Sequence, residues 1–344
     1  MRFPPPRRLL LVPAALLALA PGALASALGD PAELPAPARG LNLLVVGTDS
    51  RDGITAAEKE RFRLGGQDCD CTDVVMLVHV SAGYDRVSVV SLPRDSLAEL
   101  PGPHTDLRTG KVHDSHLAKL NAAHAEGGSA LTVETVEAAT GLDVHRYLEI
   151  DFRRFMDTVD QVEGGVPICT TKPLKDSATG LDLPVGTRNA GGGEGLQYVR
   201  SRKADGEMDF GRMRKQQKFV VNTLDRIRSG GILKDPAKLR ALASTLRGTE
   251  AAERGVSVAE LLTLAARLKA VGPSRTEFAT VPVRGFNPLV EGVGSTVGWD
   301  EEGAAEVFAR LRADRPLPPA DAVAPSKISV ADYAPARGSS LICP

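Results

Sequence analysis

The sequence lacks an excess of charge of either sign. Its 344 residues include 42 Lys and Arg against 43 Asp and Glu, for a net charge of -1. A general nucleic-acid binder is normally strongly basic, so this balance argues against that class of function. The chain is long enough to bury a sizeable core in one or two domains. Any site that uses positive charge must therefore concentrate it locally.

Two common catalytic motifs are absent as well. The chain has no G-x-S-x-G elbow and no G-x4-G-K-[ST] loop, which argues against serine hydrolases and P-loop enzymes. Histidine is scarce, with six in the whole chain. His113 and His116 are close enough to suggest a metal pair, but the sequence shows no obvious third ligand. We therefore interpret them as surface histidines.

The first 28 residues are typical of a targeting segment. Three arginines precede an apolar run over residues 9–28, and Ala23-Leu24-Ala25 has the small-x-small form of a cleavage site. The run is also long enough to span a bilayer as an anchor. Both alternatives, secretion after cleavage near Ala25 or membrane anchoring, place the folded part outside the cytoplasm in the cell envelope.

Cysteine usage agrees with export. The four cysteines are Cys69, Cys71, Cys169 and Cys343, and an even count in an exported chain predicts two disulfides. Because Cys69 and Cys71 are too close in sequence to pair comfortably, we expect each to bond to Cys169 or Cys343. A zinc site is disfavoured, since a C-x-C pair lacks the usual C-x2-C spacing.

Hydrophobic patterns predict alternating strands and helices. Short apolar runs rich in β-branched residues indicate buried strands, and 3.6-residue periodicity closed by glycine indicates helices. The predicted strands are 41–47, 73–80, 86–92, 145–151, 165–171 and 277–287; the predicted helices are 115–128, a segment ending before Gly141, a segment beginning at 152, 212–228, 256–270 and 301–313. This alternation predicts one α/β domain with a mixed sheet.

Charged side chains lie at the ends of three predicted strands. Asp49 and Arg51 follow the first strand, and Asp73 opens the second. Arg94 and Asp95 follow the third. Any one of these could be a turn residue or part of a weak surface ion pair. Because ligands collect at strand ends in α/β sheets, the three together favour a shared site.

The segment VRSRKADGEMDFGRMRKQQ, residues 199–217, concentrates positive charge. Residues 200–218 contain seven Lys and Arg and three Asp and Glu, leaving +4. A solvated helix face explains the lysines, but it explains less well why Asp209 and Arg212 bracket a Phe and a Gly. Arg212 lies near a predicted helix N-terminus, which favours anions, and guanidinium forks match phosphate oxygens two at a time. Arg200 and Arg202 share a face only if they are extended or at a helix end.

Five motifs in this order resemble the LytR-CpsA-Psr (LCP) family of cell-envelope phosphotransferases. They are LLVVGTDSR, TDVVMLVHV, VSLPRDS, KLNAAHAEGG and YVRSRKADGEMDFGRMRKQQ. Each is weak alone, but the ordered set is specific through residues 41 to about 230. In the fourth motif, Lys119 and Asn121 read most simply as incidental polar residues of a helix. One departure is Lys215, where the family usually has Arg.

The resemblance implies a three-layer α/β/α sandwich with a central mixed sheet. It also implies transfer of a glycopolymer from a polyprenyl pyrophosphate carrier at the membrane surface to a peptidoglycan hydroxyl, with release of polyprenyl phosphate and no nucleic-acid partner. A pyrophosphohydrolase and a non-catalytic lipid-phosphate-binding regulator remain alternatives. The chain would divide into a signal peptide or anchor (1–28), a Pro-rich linker (29–40), the catalytic domain (41–315) and a Pro/Ala-rich tail (316–344) that is poorly ordered unless Cys343 ties it down.

The resemblance also assigns roles to residues. Asp49 and Asp73 would hold Mg²⁺, which prefers hard carboxylate oxygens. Arg94, Arg202 and Arg212 would contact the pyrophosphate, since phosphoryl transfer depends mainly on neutralising charge. The other positions that would line this site are Arg51, Arg200, Asp95, Asp209 and Gln216. Arg94, Asp95 and Asp209 form the predicted catalytic set, and Asp95 or Asp209 is the hypothetical general base.

Overall fold

The computed structural model describes residues 34, 38–66, 71–204, 206, 208–247, 252, 254–318 and 335–344. The predicted targeting segment, most of the predicted linker, Cys69 and the middle of the predicted tail lie outside these residues. Within the described ranges, none of the helices combines the length and apolar character needed to cross a bilayer.

Strands and helices alternate along the chain, as the sequence predicts. The described strands are β1 (Leu41–Thr48), β2 (Thr72–Val80), β3 (Val87–Ser91), β4 (Leu97–Leu100), β5 (His104–Thr105), β6 (Val112–His113), β7 (His116–Lys119), β8 (Arg146–Ile150), β9 (Val166–Thr170), β10 (Leu174–Asp176), β11 (Leu181–Leu183), β12 (Gly186–Ala190), β13 (Thr276–Thr280), β14 (Val283–Val290), β15 (Gly294–Trp299) and β16 (Ala336–Arg337). The described α-helices are α1 (Ala56–Arg61), α2 (Ala122–Thr140), α3 (Phe152–Asp160), α4 (Gly192–Arg200), α5 (Met208–Ser229), α6 (Pro236–Thr245), α7 (Val258–Leu268) and α8 (Glu301–Arg312).

A six-stranded mixed sheet forms the centre of the fold, in the order β16-β13-β3-β2-β1-β8. Strands β1, β3, β8 and β13 run in one direction, and β2 and β16 run in the other. The predicted mixed sheet is confirmed. Because β2 is reversed, its amino end lies beside the carboxyl ends of β1 and β3. We call this border of the sheet the site edge.

Apolar side chains alternate between the two faces of the sheet, and each face packs against helices. Leu44 and Val46 belong to a buried cluster with Phe308 of α8, which also includes side chains of α2. Leu43, on the opposite face, belongs to a cluster with Val221 of α5 and with side chains of α7. Burial of both faces gives three layers, so the expected α/β/α sandwich is confirmed.

The largest error in the predicted elements concerns residues 115–128. Residues 116–119 form strand β7, which pairs with β4, and helix α2 begins only at Ala122. The backbone groups of this segment form hydrogen bonds with β4 instead of within a helix. Local periodicity cannot reveal such a pairing. Gly128 interrupts α2 with a φ of 63°, and Gly141 ends it in the left-handed conformation. The stop at Gly141 is as predicted.

The expected pairing of the disulfides is wrong, although the described cysteines are disulfide-bonded as predicted. Cys169 bonds to Cys343, so neither of them is available to Cys69 or Cys71. Cys71 is also disulfide-bonded, to a partner outside the described residues. Cys343 reaches β9 because β16 pairs with β13 and the Cys343 N–H donates to Asn222 Oδ1 of α5 at 2.9 Å. The end of the chain is thereby fixed to the domain.

Removing this disulfide is expected to destabilise the protein. Cys169 and Cys343 are 174 residues apart, so the bond closes a long loop and restricts the unfolded chain. We expect Cys343→Ala to lower the free energy of unfolding by about 2–5 kcal/mol in urea titrations. The double variant Cys169→Ala/Cys343→Ala is the control, and it should lower the free energy of unfolding by no more than the single change does. An unchanged unfolding midpoint in both variants would contradict this prediction.

Candidate active site

Three arginines from separate elements converge on the carboxylate of Asp73. Arg94, which follows β3, donates from Nη1 to Asp73 Oδ1. Arg202, which follows α4, places Nη2 3.5 Å from the same oxygen. Arg212, in the first turns of α5, places Nη1 3.4 Å from it. The structure thus gathers at the site edge residues that are 21, 129 and 139 positions away from Asp73 in sequence.

Two further aspartates flank this arginine cluster. Asp209 Oδ1 lies 2.8 Å from Arg202 Nε and 3.4 Å from Arg212 Nη2. Asp95 Oδ2 lies 3.4 Å from Arg94 Nε. These contacts bring together all three residues of the predicted catalytic set, Arg94, Asp95 and Asp209, around Asp73. Their roles in a reaction remain predictions.

Lys119 is a member of the site that the sequence reasoning set aside. Its Nζ lies 3.2 Å from Asp95 Oδ1. The residue was interpreted as an incidental polar group of a helix, but it lies on β7, opposite Leu97 of β4. The backbone N–H of Asn121 also donates to the Arg94 carbonyl at 3.0 Å. Only the pairing of β4 with β7 reveals that this segment supports the site.

Burial and charge have opposite effects on the pKa values in the cluster. Arg212 is 4% exposed, and burial lowers its pKa to about 10 although Asp73 opposes the shift. It therefore stays charged at neutral pH. Burial raises the pKa of Asp73, but Arg212, Arg94 and Arg202 together hold it below its ordinary value. The site is thus a group of paired charges around the buried guanidinium of Arg212, where electrostatic interactions are stronger than in water.

Asp49 lies near Asp73 because their strands are neighbours. Thr48, the last residue of β1, pairs with Thr72, the first residue of β2; Asp49 comes next after β1, and Asp73 is the second residue of β2, where the register is irregular. Arg51 Nη1 lies 3.6 Å from Asp49 Oδ2. The guanidinium of Arg51 lies 5.6 Å from the ring centroid of Phe152, and that of Arg200 lies 4.9 Å from it. Phe152 was missed by the sequence reasoning, although it follows β8 at the same edge.

The turn that carries Arg200 and Arg202 is held by Asp176. Helix α4 ends at Arg200, and Ser201 is extended, so the two arginines occupy the helix end that their spacing required. Asp176 Oδ2 accepts hydrogen bonds from the N–H groups of Arg202 at 2.8 Å and Lys203 at 3.0 Å. Burial raises the pKa of Asp176, but these backbone donors lower it to about 2. No motif identified this residue.

Asp176→Asn is expected to destabilise the turn and the fold. Removing the charge weakens the hydrogen bonds that Asp176 accepts from buried N–H groups. We expect the free energy of unfolding to fall by about 1–3 kcal/mol at pH 7. Because the folded pKa of Asp176 lies below its ordinary 3.8, its contribution is present above pH 3.8 and disappears as pH falls towards 2. Urea titrations of both proteins from pH 7 to acid should therefore converge. A difference that stays constant with pH would contradict this assignment.

Helix α5 presents different side chains to two sides. Gln216 borders the cleft beside Asp73, but its Nε2 donates to the Val199 carbonyl at 3.2 Å and so fastens α5 to α4. Gln217 donates to Ser91 Oγ at 2.9 Å, which fastens α5 to the sheet. Lys215 lines a separate cleft beside Cys169. The departure from the family pattern at Lys215 therefore falls outside the arginine cluster.

The cleft beside the arginine cluster combines charged and apolar walls. Asp73, Arg94 and Arg212 lie on one part of its surface. The apolar part is formed by Val74, Val75, Leu92, Phe210, Met213 and Val297. This combination suits a ligand that carries a polyanionic group next to an apolar one.

The fold and the site define an α/β/α sandwich protein whose arginines and aspartates meet at the ends of the central strands. The chain belongs to the LytR_cpsA_psr family, whose model matches residues 29–313. The resemblance seen in the sequence motifs is thereby confirmed.

Individual relatives agree with this family. The chain is 34% identical over 284 residues to the probable cell wall biosynthesis protein LcpB of Corynebacterium glutamicum, covering 82% of this chain and 63% of LcpB. It therefore spans less than two thirds of that relative. It is 25% identical over 263 residues to the polyisoprenyl-teichoic acid–peptidoglycan teichoic acid transferase TagU of Oceanobacillus iheyensis, covering 76% and 72% of the two chains. The crystal structure of Bacillus subtilis TagV superposes with a TM-score of 0.60 at 23% identity, over 81% of this chain and 99% of TagV, and so shares the fold.

Proposed function

We propose that this protein transfers a glycopolymer from a polyprenyl pyrophosphate carrier to a hydroxyl of peptidoglycan and releases polyprenyl phosphate. The observation that carries the proposal is the convergence of Arg94, Arg202 and Arg212 on Asp73 Oδ1. A diphosphate requires several cations in a fixed arrangement, and phosphoryl transfer depends mainly on neutralising its charge. The relative TagU is named as a teichoic acid transferase, a reaction of this class.

The arginines are suited to hold the diphosphate before and during transfer. Arg212 is held by burial and by the first turns of α5, whose exposed N–H groups also favour an anion. Arg94 and Arg202 are more exposed, at 22% and 33%, so their guanidinium forks can turn from Asp73 towards phosphate oxygens. We infer that Arg212 anchors the diphosphate and that the other two close on it.

We further propose that Asp49 and Asp73 hold Mg²⁺. Asp49 follows β1 and Asp73 lies at the start of the adjacent strand β2, both at the site edge. The low pKa of Asp73 keeps its carboxylate ionised. Hard oxygen ligands of this kind suit Mg²⁺, which retains several waters. When bound, the ion would neutralise part of the diphosphate charge beside the arginines.

The transfer step needs a group that accepts the proton of the attacking hydroxyl. We propose that a carboxylate, Asp95 or Asp209, takes this proton while the hydroxyl oxygen bonds to the phosphorus attached to the glycopolymer. The bond from that phosphorus to the bridging oxygen breaks, and polyprenyl phosphate leaves. Asp95 lies on the Lys119 side of the cluster and Asp209 on the Arg202 side. A carboxylate is therefore available as the base whether the acceptor hydroxyl enters from the Lys119 side or from the Arg202 side.

The same proposal places the protein at the cell envelope, next to the membrane surface that holds the lipid carrier. Relatives named for cell wall biosynthesis support this location.

One assay distinguishes the proposed transferase from its alternatives. The purified protein is incubated with a polyprenyl pyrophosphate-linked sugar, Mg²⁺ and a peptidoglycan acceptor. Product that requires the acceptor, together with polyprenyl phosphate, supports the transferase. Release of polyprenyl phosphate at the same rate without acceptor would instead indicate a pyrophosphohydrolase, and tight binding without turnover would indicate a regulator. Omission of Mg²⁺ in parallel tests the metal requirement.

A further inference from the structure

A second cluster of ligand-type side chains lies outside the active site. His104, His116 and Glu126 each offer one ligand atom, and these atoms lie within 4.8 Å of one another. His104 and His113 pair across the hairpin formed by β5 and β6, His116 begins β7, and Glu126 belongs to α2. The sequence shows no third ligand near His113 and His116 because His104 and Glu126, which are more distant along the chain, reach them only in the folded structure.

The hydrogen bonds of two histidines fix which ring nitrogen is available. His104 Nδ1 lies 2.8 Å from the Pro101 carbonyl, and His116 Nδ1 lies 3.0 Å from the Asp114 carbonyl. A carbonyl oxygen only accepts, so each Nδ1 carries the proton and donates it. In the neutral imidazole, Nε2 then carries a lone pair. This arrangement, in which one ring nitrogen donates to a carbonyl, is typical of histidines that bind a metal through the other nitrogen.

Both Nε2 atoms point at the same carboxylate oxygen. Glu126 Oε2 lies 3.4 Å from His104 Nε2 and 3.1 Å from His116 Nε2. With both rings neutral, the two ring lone pairs face a carboxylate lone pair, and the repulsion is relieved either by a metal ion between them or by a second proton on a ring nitrogen, which then donates to Oε2. Oε1, the other oxygen of Glu126, lies 3.6 Å from Arg108 Nη2, which leaves Oε2 directed at the histidines.

The ring positions match a single centre. The three centroid distances are 5.8 Å for His104–His113, 5.5 Å for His104–His116 and 5.4 Å for His113–His116. An imidazole bound to zinc through one nitrogen has its centroid about 3 Å from the metal, so two such rings at a tetrahedral angle lie about 5 Å apart. The three ring separations are slightly larger than this value and are compatible with ligation of one metal, and His113 lies against both His104 and His116.

We propose that His104, His113, His116 and Glu126 form a binding site for a divalent transition metal, with zinc as the best fit. Imidazole nitrogens with one carboxylate suit Zn²⁺ in four-coordinate geometry and do not suit Mg²⁺, which prefers oxygen ligands in an octahedral arrangement. The site is thus chemically distinct from the magnesium site proposed at Asp49 and Asp73. Glu126 is 8% exposed, so its carboxylate is largely protected from water.

The bound metal would fasten the 104–119 segment to helix α2. Other contacts join this segment to the helix as well: the Leu107 N–H donates to the Glu126 carbonyl at 2.8 Å, and Ala118 of β7 packs with Ala123 and Leu131 of α2. His116 and Lys119 are the two ends of β7, and Lys119 contacts Asp95. The metal would therefore stabilise the strand that positions Lys119 beside the active site.

Calorimetric titration of the full chain without a polyhistidine tag tests the site directly. After treatment with a chelator and in an excess of Mg²⁺, the protein should bind one Zn²⁺ per chain, and zinc should raise its thermal midpoint. The double variant His104→Ala/His116→Ala should bind Zn²⁺ at least about 100-fold more weakly, because loss of ligands exceeds the 10–100-fold effect of outer partners. Its melting point without zinc should match that of the wild type, which shows that it folds.

The matched control is His124→Ala. His124 also pairs with a carboxylate, Glu149, at 3.2 Å, but lies outside the cluster. This variant should retain wild-type zinc affinity. No zinc binding by the wild type, equal binding by the double variant, or equal loss in the control would each overturn the proposal. His113→Ala should weaken zinc binding about 10-fold or more, and unchanged affinity would overturn the assignment of His113 as fourth ligand.

Discussion

Arg212→Ala is expected to reduce glycopolymer transfer by about 10²–10³-fold, comparable to the loss of one preorganised donor to a developing negative charge. The guanidinium of Arg212 is buried and lies 3.4 Å from Asp73 Oδ1, so solvent cannot replace it easily. Arg212→Lys should retain part of the activity, because it keeps the charge but loses the fork that binds two oxygens. Steady-state assays with the lipid pyrophosphate substrate measure both variants.

A second arginine of the same helix provides the control for this prediction. Arg228 lies in the last turn of α5, is 42% exposed and pairs with Asp225 at 2.6 Å. Arg228→Ala should leave transfer within about 2-fold of the wild type, because surface pairs of this kind contribute at most about 1 kcal/mol. If Arg212→Ala also retained nearly full activity, Arg212 would not bind the diphosphate.

Asp73→Asn is expected to lower both the free energy of unfolding and the activity. The change removes the carboxylate that holds Arg94, Arg202 and Arg212 together, so three cations remain close to one another and Arg212 stays buried. Removal of one partner from a buried charge pair costs about 3 kcal/mol or more. Urea titration should show this loss, and transfer should fall about 10³-fold or more, since the proposed magnesium ligand is lost as well.

Rescue by an anion distinguishes the proposed role of Asp73 from simple damage to the fold. Inorganic pyrophosphate should raise the thermal midpoint of Asp73→Asn more than that of the wild type, because it supplies the negative charge that the variant lacks. Asp182→Asn is the control, since Asp182 is 66% exposed and forms a surface ion pair with Lys175 at 3.0 Å. An equal response of all three proteins to pyrophosphate would contradict an anion site at the arginine cluster.

Local sequence patterns predicted the central strands closely. The expected strands 41–47 and 73–80 differ from β1 and β2 by one residue at one end. Continuous β-branched runs can be buried in a sheet whatever their partners are, so their character is a local property. The error at 116–119 has the opposite origin, because β7 exists through its pairing with β4.

The candidate site divides in a similar way. The motifs supplied Asp73, Arg94, Arg202 and Arg212, whose residue types at strand and helix ends already suggest phosphate chemistry. Lys119, Phe152 and Asp176 carried no such signal, since each acts through a neighbour that is distant in sequence: Asp95, Arg200 and the Arg202 turn, respectively. Sequence reasoning therefore found the groups that would contact the ligand and missed those that position them.

The sequence by itself determined the family, the strand–helix alternation and the arginines and aspartates available for binding a diphosphate, because these properties depend on residue type and order. Only the tertiary structure decided which of them meet. Reversal of β2 brings Asp73 beside the ends of β1 and β3, packing of residues 104–119 against α2 brings His104 and His116 to Glu126, and docking of β16 brings Cys343 to Cys169. Each of these contacts joins segments whose proximity depends on burying the whole core, and no local pattern encodes that.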